Sequence, residues 1–596
     1  MRSATLGLKP FLEELAGRLE GLDRDELGQV VLAHAEGLPA GQRAAFLEIF
    51  PPRRASARHR RVPPAAPAID PEEAAQLLSD IDAFVETVRT GGYFQGWGWD
   101  HELREERAFG DESWVLEMDG LFEVAGGAFL DGALEFARDA YGKLLQAFSL
   151  DQEVGTFCGD RAAAEMVETD VGEAKARYLR ALYETAPAAQ RPQRLLEALE
   201  ELDGIGPEAS LQAVVDTRRE PLPGLDAFLP RWVERLAAVP PEAYGFAREA
   251  RRLLAEAAAL HRGAEGLADL ARRPGPDQAQ AYLDWVDHLA GAERVAEAVA
   301  AAREGLGAVT GPAEDRARLA ERLAGLAGAQ GDPAGALDAR RQAWRAAPSV
   351  ARLLALAGAC PAAQLSAVLD GEAVLLAAPP AGPGSRGAAA GEGPDRTACA
   401  LLLAAGRVSQ ATAGLRAAAA LGWGFPGHPG PVVVPYLLVA GSGRTAPPAE
   451  KGSRLAELFA GLDAPDWASG LGPEAWRDRT GGTAGGGPSL TGLLTRSLER
   501  LRLAPDERRR LLQQAREVVE ERVTAVVAGQ HRGAYQRVAE LAVACAEAMA
   551  LGAGTDAGNG FIAAWHARHP RHSAFRAELD RATGASPFLS VPPRRR

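Results

Sequence analysis

Cys158, in the run GTFCGD, is the thiol best placed to react, because it lies between Gly155 and Gly159. A catalytic thiol needs a base to take its proton, and no histidine lies near it in sequence. His566, His569 and His572, in WHARHPRH, have a spacing that suggests metal ligation, since positions three apart share a helix face. Pro570 breaks the helix before His572, and no nearby carboxylate completes a ligand set. Capping or solvated histidines are therefore expected. The run GGTAGGGPS (481–489) puts Gly482, Gly487 and Ser489 at the spacing of a phosphate loop. Pro488 stands where the lysine is required, removing both the charge and an amide donor. HExxH and GxSxG are absent. The reading is a non-catalytic chain with no cofactor and no metal ligands. The remaining cysteines, Cys360, Cys399 and Cys545, are far apart and form no disulfide framework, which suits a reducing cytoplasm.

One stretch has a composition suited to binding. GWGWDHELREERAFGDESWVLEMDGLFE (96–123) carries Trp97, Trp99 and Trp114 among nine acids, including Asp100, Asp111 and Glu112. Tryptophans concentrate contact energy and carboxylates steer a cationic partner. These six residues are the expected contact for a basic protein or peptide segment, from a partner or from the chain's own residues 53–61. The plainer reading is a solvated face, with tryptophans capping the first helical hairpin.

The chain that must position these groups has 596 residues, 47% of them apolar, and a net charge of −14. That charge makes nucleic acid an unlikely principal partner. A nucleic-acid-associated subunit using Arg53–Arg61 and Arg594–Arg596 remains an alternative, as does an enzyme or effector subunit whose site is assembled from distant residues. No apolar stretch reaches the ~20 residues that span a bilayer, and MRSATLGLKPFLEELAG is too polar for a signal peptide.

Helical periodicity organises the sequence. Residues 1–50 read as a small helical unit, with Asp23 and Pro39 where helices start, and 51–70 as a linker with five Arg and five Pro. Helical repeats are expected over 71–377, a flexible loop over 378–396 and a helical block over 397–479. A Gly-rich loop over 480–489, helical hairpins over 490–580 and a basic tail over 581–596 complete the chain. A second loop is read at 441–453. PGPVVVPYLLVAG (429–441) has a β-branched run interrupted by Pro435, and is read as a turn followed by a short helix.

The hairpins share a spacing of small, turn, small, large and small residues. Ala125, Gly132, Ala137, Tyr141 and Leu144 set it. Ala324, Gly331, Ala336, Arg340 and Ala343 repeat it, as do Cys399, Gly406, Ala411, Leu415 and Ala418. So do Cys545, Gly552, Ala557, Phe561 and Ala564. Weaker copies place Asp284, Gly291, Ala296 and Ala300, and Ala162, Ala174, Tyr178 and Ala181. The pattern resembles the tetratricopeptide repeat. That resemblance implies an all-α fold of stacked antiparallel helices whose curved surface binds other proteins. In this register Cys399 and Cys545 are small buried residues. Segments at both ends of the repeat region look like poorly characterised bacterial proteins, some with a SWIM-type zinc finger. The CxC and CxH pairs of that finger are absent, so zinc and DNA binding do not carry over. The expected function is that of a cytoplasmic scaffold or adaptor.

Overall fold

The computed structural model describes residues 69–93, 98–100, 105–107, 113–154, 162–240, 245–377, 394–463 and 488–590. The whole expected N-terminal unit, the basic linker up to residue 68, the Gly-rich loop up to Gly487, Cys158 and the end of the basic tail lie outside these residues. The chain forms two compact units, residues 1–270 and 271–596.

In unit 1, helix α1 (Pro71–Arg89) is followed by strands β1 (Gly98–Asp100) and β2 (Glu105–Arg107). Next come α2 (Ser113–Leu130), α3 (Leu134–Val154), α4 (Val171–Thr185) and α5 (Arg191–Glu201). Helices α6 (Leu211–Asp216), α7 (Leu225–Ala237) and α8 (Phe246–Ala271) follow, and α8 is broken at Gly263. The two strands pair antiparallel, with Trp99 opposite Glu106. This ribbon is a small exception to the expected absence of strand.

Ala125 and Ala137 are fully buried where α2 and α3 meet, so the backbones approach closely, and Tyr141 and Leu144 fill the groove. Helix α4 packs on α3, burying Ala174 and Ala181. Ala162, expected on a helix, is instead the exposed residue before a short 3-10 turn (Ala163–Glu165). Two buried cations tie the connections to α4. Lys175 Nζ donates to the carbonyls of Ile205 (2.8 Å) and Pro207 (2.9 Å), beyond the end of α5. Arg180 donates to those of Val215 (3.1 Å) and Glu220 (2.6 Å). Each satisfies carbonyls that burial would otherwise strand.

Unit 2 opens with α9 (Gln278–Gly291), α10 (Val295–Ala308), α11 (Ala313–Ala329), α12 (Pro333–Ala346), α13 (Val350–Ala359) and α14 (Leu365–Ala377). It continues through α15 (Arg396–Ala404), α16 (Val408–Ala417), α17 (Gly430–Gly441), α18 (Arg454–Ala460) and α19 (Leu490–Arg500). Helices α20 (Pro505–Ala528), α21 (Tyr535–Ala553), α22 (Thr555–Arg568) and α23 (Ser573–Ala585) complete it. Asp332, Ser349, Asp395, Ser453 and Ser489 cap their helices by accepting a backbone N–H.

Four hairpins close with the same turn. Gly132, Gly331 and Gly406 occupy the left-handed position of theirs, at φ +85°, +74° and +78°. In the α9–α10 hairpin that position belongs to Glu293, at φ +59°. Arg294 N–H reaches back to Leu289 C=O (2.9 Å), as Asp332 does to Ala327 (2.9 Å) and Arg407 to Leu402 (2.7 Å). The α9–α10 copy therefore sits two residues later than expected. Val286, Ala298 and Ala302 are fully buried, whereas Ala296 and Ala300 face solvent and Asp284 is half-buried. Gly305 ends this register: a Cβ there would meet the Tyr282 ring at 2.8 Å. Gly552 is likewise not the last turn, because α21 continues to Ala553 and Gly554 (φ +97°) turns the chain.

A single apolar core runs from Trp344 to Ala582. At its centre lies α17, of which every residue but Pro431 is buried. It packs on α15, α18, α20 and α21. The VVV run is therefore helical. A helix apolar on all sides needs neighbours on all sides, and this core supplies them.

Candidate partner-binding cleft

Arg396, the first residue of α15, is buried and organises the loop from Ala419 to Pro429. Its Nε donates to His428 C=O (3.0 Å), and Nη2 donates to Trp423 C=O and Phe425 C=O (2.9 Å each). Its backbone N–H donates to Gly427 C=O (2.9 Å). His428 staples the same loop. Its Nδ1 accepts from Gly430 N–H (3.0 Å) and its Nε2 lies 2.8 Å from Ala419 C=O, which places the proton on Nε2. Burial lowers the pKa of this histidine and so keeps the ring neutral.

The loop presents Trp423 to α20. The Arg522 guanidinium lies over the indole, 4.4 Å from guanidinium carbon to ring centre, and Nη1 donates to Ala420 C=O (3.1 Å). Burial, with the nearby Arg537 adding to it, pushes the Arg522 guanidinium down to about 10. It remains charged at neutral pH. Among the described residues, neither Arg522 nor Arg537 has a carboxylate in ion-pair contact.

These groups line a cleft of about 490 Å³ in unit 2. Pro431, Leu458, Leu462 and Leu541 supply apolar wall, and Arg454, Glu457 and Glu540 stand with them. Arg454 pairs with Glu457, while Glu540 accepts from the Gln536 amide (3.0 Å). The amides of Arg454 and Leu455, at the start of α18, are taken by the fully buried Glu547 carboxylate (3.1 and 2.8 Å). The cleft thus carries two guanidinium charges that, among the described residues, have no ion-pair contact, beside an apolar wall and with Glu457 and Glu540 also in its lining. It can hold an anionic group attached to an apolar one.

No family model matches the chain, and no curated protein matches it. Eight solved chains match in structure. One belongs to "Structure of Naa15/Naa10 bound to HypK-THB", at 14% identity and TM-score 0.23, covering 78% of this chain and 66% of that one. Another is "Circular tandem repeat protein with novel repeat topology and enhanced subunit contact surfaces", at 14% identity and TM-score 0.16, covering 86% and 85%. The all-helical repeat architecture rests on the chain's own helices and turns.

The residues expected to bind a partner belong to unit 1. Trp97, Asp111 and Glu112 are outside the described residues, and Trp99 and Asp100 are backbone positions of β1. Trp114 is 1% exposed and belongs to the core around α2, so its indole offers no contact surface. Two acids of that stretch serve the fold. Glu117 accepts from Tyr93 Oη (2.7 Å), and Asp119 accepts from the Glu168 and Thr169 amides (3.0 and 2.9 Å).

His569 and His572 meet edge to face, 5.5 Å between ring centres, while His566 has other partners. His566 lies 3.1 Å from Asp580 and accepts from Arg576 Nε (3.3 Å), while His569 stacks on Trp565. Cys399 and Cys545 are fully buried, and burial pushes both thiols up to about 12. Sequence reasoning missed the cleft. Its available signal was LGWGFPGHPG (421–430), where Gly and Pro crowd around a Trp and a His. Arg522 and Arg537 gave none, in a chain whose basic residues are nearly all arginine.

Proposed function

We propose that the protein is a non-catalytic scaffold or adaptor that binds a protein or peptide partner on its helical-repeat surface, with the Arg522–Trp423 cleft as the recognising contact. The observation that carries this reading is the half-buried Arg522 charge, held on an indole with no carboxylate in ion-pair contact among the described residues. Burying a charge is costly, and an arriving anion offsets that cost. Arg396 and His428 have already fixed the loop, so little ordering entropy is lost on binding.

The test compares the full chain with Arg522→Met and Arg537→Glu by co-purification and quantitative mass spectrometry. A stoichiometric protein lost from both variants supports the reading. Bound nucleotide or metal in place of a protein would overturn it in favour of an enzyme, and bound nucleic acid in favour of a nucleic-acid-associated subunit.

The stretch holding Trp97, Trp99, Asp100, Asp111 and Glu112 is proposed as a second contact, for a basic segment. The ribbon supports it by setting Trp99 opposite the acidic Glu106. Unchanged binding of a basic peptide in Trp99→Ala and in Asp111→Asn with Glu112→Gln would remove this contact.

A further inference from the structure

We infer that the occupant of the cleft is an acidic peptide segment carrying an apolar side chain close to its carboxylates. The carboxylates sit on Arg522 and Arg537, and the apolar side chain packs against the half-buried Pro431 and Leu458. The inference rests on the partner-binding reading above and specifies its chemistry.

Charge complementarity selects the sign. Four arginines and two glutamates line the cleft. Arg396 is committed to the loop carbonyls and Arg454 to Glu457. Glu540 holds the Gln536 amide. Hydrogen bonds to neutral partners leave the charges of Arg396 and Glu540 in place, so the lining carries a net charge of +2, with Arg522 and Arg537 outside any ion-pair contact among the described residues. Arg537 presents a planar fork of donors that matches a carboxylate, and Arg522 adds its charge, with Nη1 already given to Ala420 C=O.

The wall selects the apolar part. A volume of about 490 Å³ is far more than a lone carboxylate fills. Pro431 and Leu458 are only half-buried and would stay in contact with water unless an apolar group covered them, while Leu462 and Leu541 back the wall from within the core. On the same loop as Trp423, Leu421 and Phe425 are already exposed, at 42% and 72%.

Two features disfavour a phosphate. Phosphate sites draw on free amides at a helix start, and here the first amides of α18 belong to Glu547. Glu457 and Glu540 also stand in the lining, where they repel a dianion more than a monoanion. An extended nucleic acid needs successive aromatic platforms, and the one indole in the lining is already covered by Arg522.

The experiment uses the full chain and peptides bearing a neutral dye, followed by fluorescence anisotropy. The probe alternates Asp or Glu with Leu or Phe. Its companions replace the apolar residues by Ser, the acids by Lys, or the acids by phosphoserine, and a single-stranded oligonucleotide is the last arm. Binding of the acidic, apolar probe is expected, weakening by about tenfold or more when the apolar residues become Ser. The Lys peptide should not bind. Raising salt from about 50 to about 300 mM should weaken the complex.

Arg537→Glu, at an exposed and unpaired position, should weaken binding about tenfold with an unchanged circular dichroism spectrum. Arg522→Met removes the charge while keeping a long apolar side chain beside Trp423 and should do the same. Equal binding of the Ser or Lys peptide, tighter binding of the phosphopeptide or oligonucleotide, or unaltered affinity in both variants would overturn the inference. A co-purified partner that stays on both variants leaves partner binding standing and removes the acidic-segment inference. Absence of both peptide binding and a partner removes both.

Discussion

The Arg522 guanidinium and the Trp423 indole lie face to face at 4.4 Å, joining helix α20 to the loop before α17. The contact does two things at once. It fixes a loop built from Gly and Pro, and it holds a positive charge at the edge of an apolar cleft. Cation–π contacts contribute about 0.5–1 kcal/mol when exposed and about 2 when desolvated.

Trp423→Leu should therefore destabilise the protein by about 1–3 kcal/mol, because it removes both this contact and half-buried ring area. Hydrogen exchange should quicken in residues 419–430 and stay unchanged in α2 and α3. Equal change everywhere would mean that the indole is only part of a global core.

The shared turn predicts opposite outcomes for two substitutions. Gly331 is at φ +74° with open space where a Cβ would go, so Gly331→Ala meets backbone strain alone. It should lose about 1 kcal/mol of stability. Glu293 holds the same position at φ +59°, and Glu293→Gly should gain up to about 1 kcal/mol. Chemical denaturation midpoints measure both. A loss in each case would show that the two turns are not equivalent.

Glu372 provides a pH test. Burial alone would raise its carboxyl, but hydrogen bonds from Arg345 (2.7 and 2.8 Å) and Arg341 (2.8 Å) outweigh it and hold the group below its ordinary range. A carboxyl depressed on folding contributes stability above its unfolded value of about 4.3 and loses it as pH falls through the folded value. Glu372→Gln should cost about 2 kcal/mol at neutral pH, since both arginines are partly exposed and solvent screens the pair. The difference from the parent should shrink below about pH 4. A difference independent of pH would assign the loss to packing instead.

Cys399 and Cys545 should not react with thiol reagents in the native protein up to about pH 9, because both are fully buried with thiols pushed up to about 12. Cys399→Ala and Cys545→Ala should each cost about 1 kcal/mol and leave peptide binding unchanged. Rapid native-state labelling of either would contradict its placement.

Local signals explain what was readable. Gly132, Gly331 and Gly406 announced turns because few other residues take a left-handed conformation without cost. The small residues at Ala125, Ala137, Cys399 and Ala411 marked close helix contacts. The reading failed at the α9–α10 turn, where Glu293 takes the strained position and the nearby Gly291 drew the register to itself. It failed again at Gly552, since α21 is held helical two residues longer by its packing against α17 and α22. Trp114 looked like a surface contact because composition cannot tell which side of a helix meets a core.

Taken alone, the sequence determined the helical class, most hairpin turns and the burial of two cysteines. These follow from periodicity, backbone preference and side-chain size within a few neighbouring residues. Tertiary structure decided the site. Arg396, Trp423, Arg522 and Arg537 come from four separate elements, and nothing local distinguishes these arginines from the many others. Their role depends on which carboxylates lie within reach after folding. Arg454 finds Glu457 three residues away, while Arg522 finds an indole and another arginine from distant stretches. Charge compensation is a matter of distance in space, and only the packing of α15, α17, α18, α20 and α21 sets those distances.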